Sequence, residues 1–293
     1  MTRLPVTKTP KPYVGGAFIR SESARTTPIR DAAGNFFANI PQCTRKDLRN
    51  AVEAAAKAGP GWARRTAYNR GQILYRLGEM LEARRQEMVA MLGRFGASRA
   101  AAAREVDGAT DRLIHYAGWA DKYEQLLGNV NPVAAPYFNF TVTDPMGVVG
   151  VIAPDEPALL GLVSMIAPII VSGNTVVALA SERRPYPAVV FGEMLATSDL
   201  PGGVVNILTG FRRELVPTFA THAHLRAISA VAGAEERKAL RLGAVESVKR
   251  VRFWDVPEAA AAGRAGWFSD EAQGLYAIRD FVEFKTTWHP IGA

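Results

Sequence analysis

The sequence is poor in the residues from which most active sites are built. Cys43 is the single cysteine among 293 residues, and there are only four histidines. One thiol excludes a disulfide within the chain and any cysteine-based metal cluster. Cys43 stands in Pro41-Gln42-Cys43-Thr44 with no base beside it in the sequence, which argues against a nucleophile. His222 and His224 are two residues apart, diverge on a helix and lack an evident third partner, so no metal site is expected. His115, beside Tyr116 in a helical pattern, reads as a packed or surface residue. The phosphate-binding patterns G-x-G-x-x-G and G-x-x-x-x-G-K-[ST] are missing, and so is the zinc pattern H-E-x-x-H.

Two further shortages bear on partners. Residues 1–13 have no apolar core segment, so no signal peptide is expected, and a reducing, cytoplasmic setting fits the cysteine usage. Pro157 to Ser181 carries no charge and is long enough to cross a bilayer. Pro168 and Gly173-Asn174 interrupt it, however, and a buried helix followed by a buried strand accounts for it without a membrane. The net charge of +7 is spread over scattered basic residues, many beside acids as in Glu82-Ala83-Arg84-Arg85-Gln86-Glu87. No basic run is interleaved with aromatics, so no nucleic-acid partner is expected.

What is present is an ordinary globular composition, 48% hydrophobic and 22% charged. Gly15-Gly16 and Ala33-Gly34-Asn35 mark turns between short strands in residues 13–40. Thr44 and Asp47 form a capping box ahead of an apolar stripe at Leu48, Ala51, Val52 and Ala55, and Gly59-Pro60-Gly61 predicts the end of that helix. Thr66 opens a longer helix through Ile73, Leu74, Leu77, Leu81, Met88 and Met91. Ser98 opens another through Val106, Ala109, Leu113, Tyr116 and Ala120. Residues 136–144 change to period two, with Phe138, Phe140 and Val142 on one face.

From Gly147 onward, unbroken apolar runs at 148–153, 175–180, 204–208, 227–231 and 248–253 alternate with helical stretches at 160–170, 188–196, 214–220 and 235–242. Runs of that kind are strands buried on both faces, so the expected fold class is α/β with a Rossmann-type parallel sheet. An Ala/Gly-rich stretch, 257–266, reads as a linker. In a last strand, 280–288, Val282, Phe284, Thr286 and Trp288 share a face.

Several segments resemble the aldehyde dehydrogenase family in the family's own order. They are Tyr116-Ala117-Gly118-Trp119-Ala120-Asp121-Lys122, Pro145-Met146-Gly147-Val148-Val149-Gly150-Val151-Ile152-Ala153-Pro154, Ile166-Ala167-Pro168, Gly173-Asn174-Thr175-Val176-Val177, Leu200-Pro201-Gly202-Gly203-Val204-Val205-Asn206-Ile207-Leu208-Thr209-Gly210 and Glu283-Phe284-Lys285-Thr286-Thr287-Trp288. The resemblance covers about 13–253 and 275–289. It implies five segments: N-terminal strands and helices over 1–135, an oligomerisation flap over 136–145, a Rossmann-type domain over 146–255, a linker over 256–274 and a C-terminal oligomerisation strand over 275–293.

The family's chemistry needs a thiolate, an oxyanion-binding Asn, a Glu base and a nicotinamide that accepts hydride. By the resemblance, the Asn position is Glu156, the strand that precedes the Glu base ends in Arg252-Phe253-Trp254-Asp255 and passes to the linker, and the thiolate domain has no counterpart. No catalytic residue is therefore expected. At the cofactor site the family's Lys corresponds to Leu179, while Ser181 and Glu182 remain as a vestige. Arg212 and Arg237 replace glycines, so no cofactor is expected, NAD included. The resemblance thus implies a non-catalytic subunit that joins a full-length aldehyde dehydrogenase as a hetero-oligomer, through Phe138, Phe140, Val142, Val282, Phe284, Thr286 and Trp288. The alternatives are a nucleotide sensor with a reduced NAD(P) site and an enzyme using a different site.

Overall fold

The computed structural model of the protein describes residues 8–255 and 266–292. The apolar runs after Gly147 become β7 (Val148–Ile152), β8 (Thr175–Leu179), β9 (Val205–Leu208), β10 (Leu225–Ala230) and β11 (Arg250–Phe253). They pair in parallel in the order β11-β10-β7-β8-β9. A hairpin of β1 (Tyr13–Val14) and β2 (Ala17–Phe18) extends this sheet antiparallel beyond β9, to seven strands. A second hairpin, β3 (Thr26–Arg30) with β4 (Phe36–Pro41), stands apart.

Alternation along each strand explains the two-sided burial. Val149 and Val151 face one core, shared with α2 (Ala67–Ala83), α3 (Arg85–Arg94), α4 (Arg99–Trp119), α6 (Leu160–Val171) and α7 (Tyr186–Leu195). Val148 and Ile152 face the other, shared with α1 (Arg45–Ala63), α8 (Arg212–Thr221) and α9 (Ala234–Ala244). Every residue of α6 is buried, which is why the uncharged 157–181 run needs no lipid. Among the described residues, no helix is long and apolar enough to cross a membrane.

Two helix boundaries differ from the sequence expectation. α1 runs through Pro60 to Ala63. Proline removes one backbone donor, but the next turn buries Trp62, whose Nε1 donates to Ile170 O at 2.8 Å, and that anchorage outweighs the lost bond. The helix opened by Thr66 breaks at Arg84 into α2 and α3, both of which keep their apolar residues in the same core. The N-terminal caps of these helices are as the sequence implies. The Thr44 amide donates to Asp47 at 2.7 Å, and Ser98 caps α4.

After α4, the short α5 (Tyr123–Leu127) leads into a separate three-stranded sheet. Its order is β12-β6-β5, from β12 (Val282–Pro290), β6 (Tyr137–Pro145) and β5 (Asn129–Asn131). Asn174 ties it to the main body by donating to Phe281 O at 2.7 Å and accepting from the Gly147 amide at 2.8 Å.

Of the expected linker, residues 256–265 lie outside the described residues. The remainder, 266–274, is not a loose connection. Trp267 is 3% exposed and stacks on Trp254 with centroids 5.0 Å apart. The buried Arg112 donates to Trp267 O at 2.8 Å and also to Ala272 O. α10 (Leu275–Arg279) then leads into β12.

Candidate functional site

The chain lays down β7 first, adds β8 and β9 on one side, and returns to add β10 and β11 on the other. The strand order therefore reverses between β7 and β10, and helices diverge there to leave a crevice beyond the carboxyl ends of the strands. A cleft of about 740 Å³ lies at this point. Its floor is Pro154, Asp155 and Glu156 after β7, and Val231, Ala232 and Gly233 after β10. Gly161 lets α6 come close to that floor, since an added Cβ would overlap the Pro154 ring. Trp267 and Phe268 form an aromatic wall.

Each charged group in the cleft has a partner. Glu156 pairs with Arg184 at 2.9 Å, so its carboxylate is neutralised from within the chain. Glu105, buried on α4, accepts from the amides of Leu159 at 2.7 Å and Leu160 at 3.4 Å at the start of α6. Burial pushes the Glu105 carboxyl above the usual carboxylate range. Arg212, at the first turn of α8, grips Glu236 of α9 with two bonds, Nε to Oε1 at 2.9 Å and Nη2 to Oε2 at 2.8 Å. The same guanidinium donates to Ala153 O at 3.1 Å and to Val231 O, the carbonyls just past the ends of β7 and β10.

Ser181 and Glu182 follow β8 at the same edge of the sheet. Ser181 Oγ donates to Asp155 Oδ1 at 3.0 Å, and the Glu182 carboxylate accepts from the Arg212 amide at 2.7 Å. Leu179 is fully buried. Arg237 leaves the cleft, donating to Ala232 O at 2.9 Å and pairing with Asp255 at 2.6 Å.

Cys43 lies between β4 and α1, away from the cleft, and burial pushes its thiol up to about 12. His222 accepts from the His224 amide at 3.3 Å, and no group of three possible metal ligands occurs among the described residues.

Glu105, Arg184, Trp267 and Phe268 were not singled out by sequence. Glu105 had a signal, because an acid three residues after Ala102 sits on the buried stripe of α4. The other three come from distant elements and carried none.

The interface residues divide between two faces. Directly opposed residues of antiparallel strands point to the same side. Phe284, Thr286 and Trp288 oppose Thr143, Thr141 and Asn139. Phe138, Phe140 and Val142 oppose His289, Thr287 and Lys285, on the other side. The structure therefore does not bring the two apolar sets together. Trp288 packs edge-on against Tyr137 at 5.8 Å, and Phe138 lies tilted against Phe140 at 5.4 Å. Val282 alone of the seven is fully buried.

The aldehyde dehydrogenase family model matches residues 18–253. The chain belongs to the aldehyde dehydrogenase family. It is 33% identical over 248 residues to retinal dehydrogenase 2 of Mus musculus, an alignment that covers 82% of this chain and 47% of that protein. The chain thus spans about half the length of the curated relatives it matches. The NAD+ complex of an aldehyde dehydrogenase from Bacillus cereus superposes with a TM-score of 0.80 at 24% identity, covering 84% of this chain and 50% of that one. A betaine aldehyde dehydrogenase from Staphylococcus aureus in complex with NAD+ gives 0.79 at 22%, with 84% and 50% covered.

These structures correct the sequence expectation that no cofactor, NAD included, belongs to this chain. That expectation rested on Leu179 in place of a lysine and on Arg212 and Arg237 in place of glycines. The fold shared with the NAD+ complexes is a nucleotide-binding fold, and a cleft lies at its switch point here. The Arg212 guanidinium lies at that cleft.

Proposed function

We propose that this protein is an aldehyde dehydrogenase-family subunit that performs no aldehyde oxidation itself and assembles with a complete family member. The observation that carries the reading is the β12-β6-β5 sheet. The outer edge of β12 has no strand partner among the described residues, and Phe284 and Trp288 on it are 47% and 58% exposed. An edge strand with exposed aromatics is a template for strand addition. A complete paralogue supplies the catalytic-domain sheet that the family's equivalent strand joins.

Three features support the absence of independent chemistry. The Glu156 carboxylate cannot donate a hydrogen bond to an oxyanion. The Cys43 thiol is buried and far from its reactive form. Only the segment 254–274 stands between β11 and α10, where the resemblance places the base and the thiolate domain. In this reading 136–145 and 275–293 are the docking elements, 146–255 is the nucleotide-type core, and the setting is cytoplasmic.

The cleft adds a site for a dinucleotide to this role. Its size and the guanidinium at its floor fit the phosphates, and Glu182 would face a ribose hydroxyl. A bound nicotinamide supplies hydride acceptance, and this chain's part is to hold the dinucleotide.

The test is co-expression with candidate aldehyde dehydrogenases of the same cell, with and without residues 280–293. A dehydrogenase that co-purifies only with the complete chain is the expected result. A stable, monodisperse homo-oligomer that captures no dehydrogenase through this strand would overturn the reading. So would aldehyde-dependent reduction of NAD by the isolated chain, once freed of other dehydrogenases.

A further inference from the structure

Arg212 holds a position that a glycine or small residue would leave open. It sits on the first turn of α8, yet its side chain crosses the crevice to the first turn of α9. On the way it closes over the carbonyl ends of the two strands that flank the switch point, at Ala153 and Val231. A guanidinium has five N–H donors, and the four bonds found to Glu236, Ala153 and Val231 leave one without a partner among the described residues. The side chain is 15% exposed, so the cation is largely sheltered from water where the cleft opens.

Glu236 answers it. This residue is the third of α9, and its carboxylate also accepts from the Gly233 amide at 3.4 Å. One carboxylate thus serves both the guanidinium and the amide that starts α9. A two-pronged oxyanion held by a guanidinium fork is the arrangement a phosphate group makes with arginine. A phosphate entering the cleft would meet the same donors that Glu236 holds, since Arg212 and Glu236 both line it.

We propose that Arg212 is the phosphate-binding group of this crevice and that Glu236 is its built-in competitor, so that a diphosphate-bearing ligand binds by replacing the Glu236 carboxylate on the Arg212 guanidinium. The free crevice is then self-occupied. Ligand affinity is set by the exchange of one anion for another and not by filling an empty cradle. This rests on the reading of the crevice as a dinucleotide site proposed above, and it requires no partner subunit.

Calorimetry on the full chain at low salt tests it, with inorganic pyrophosphate, ADP and NAD+ as the probes. Removing the competitor's charge with Glu236→Gln should tighten pyrophosphate and ADP by about 10-fold, the worth of one charge-assisted bond. Arg212→Gln should weaken both by at least about 10-fold, and the double variant should behave as Arg212→Gln does. Thermal unfolding of each variant checks that it is folded. If Glu236→Gln does not fold, Glu236→Asp decides, because its carboxylate is one methylene short of the two-bond grip and should bind between wild type and the amide. Equal affinity of wild type and the Glu236 variants overturns the proposal. So does binding that survives Arg212→Gln, or the absence of pyrophosphate and ADP binding in every variant.

Discussion

Replacing Trp267 by alanine probes how the chain closes the face on which the 266–278 segment packs. The indole is 3% exposed, stacked 5.0 Å from Trp254, and part of the core that includes Ala277, Ile278 and Phe281. A buried indole removes roughly 150–250 Å² from water, which at about 25 cal/mol per Å² corresponds to roughly 4–6 kcal/mol. Trp267 also borders the open cleft, so neighbouring groups can relax into the space and the lower end of the measured range for such truncations applies, about 3 kcal/mol. The loss should be cooperative. The backbone carbonyl of the same residue is an acceptor for Arg112, and a loosened segment would strand that buried cation. Urea unfolding followed by far-ultraviolet circular dichroism and by tryptophan fluorescence should give one shared transition, moved to lower urea with an unchanged slope. A loss below about 1 kcal/mol would refute the reasoning, and so would a fluorescence transition that separates from an unaltered dichroism transition. Either outcome would mean that the segment lies on the fold without belonging to it.

Other consequences follow from single groups. Burial raises the Glu105 carboxyl, so its protonated form is favoured in the folded state. The stability this provides is fully present below the ordinary carboxylate range and is lost as pH rises through the raised value. Glu105→Gln should keep the acceptor for the Leu159 and Leu160 amides and flatten the stability–pH curve as pH rises out of the ordinary carboxylate range, read by urea midpoints; a slope equal to that of wild type would contradict this. Val248 is β-branched, 89% exposed, and left-handed at φ 50 and ψ 42 after α9. Val248→Gly should therefore stabilise by roughly 0.5–1 kcal/mol, seen as a higher melting temperature, and a lower one would be the opposing result. The Cys43 thiol, held up to about 12 by burial, should react with a disulfide reagent only after unfolding, and stoichiometric labelling of the native chain would be evidence against its placement.

Much of the fold was legible from local pattern. The capping residues Thr44 and Ser98, the stripe of α4 and the unbroken runs of β7 to β9 all report the environment of their own segment. Where the outcome depended on a distant group, local pattern misled. Gly59-Pro60-Gly61 reads as a helix end, yet Trp62 finds Ile170 more than a hundred residues away and carries α1 onward. Phe138 and Phe284 each mark an apolar strand face, and only the register of β6 against β12 puts them on opposite sides. The cofactor expectation failed for a related reason. It counted exchanged residues, a leucine for a lysine and two arginines for glycines, whereas a crevice is made by the order in which strands enter a sheet.

The sequence by itself determined the α/β class, the family and the apolar faces, because periodicity and motif order are properties of neighbouring residues. Tertiary structure alone decided that Glu156 would meet Arg184, that Trp267 would stack on Trp254, and that Arg212 would reach across to Glu236. Each of these pairs joins residues that share no helix or strand. Charge and shape say that such groups need partners, but only the packed sheet, by fixing which helix ends converge on one crevice, says which partners they find.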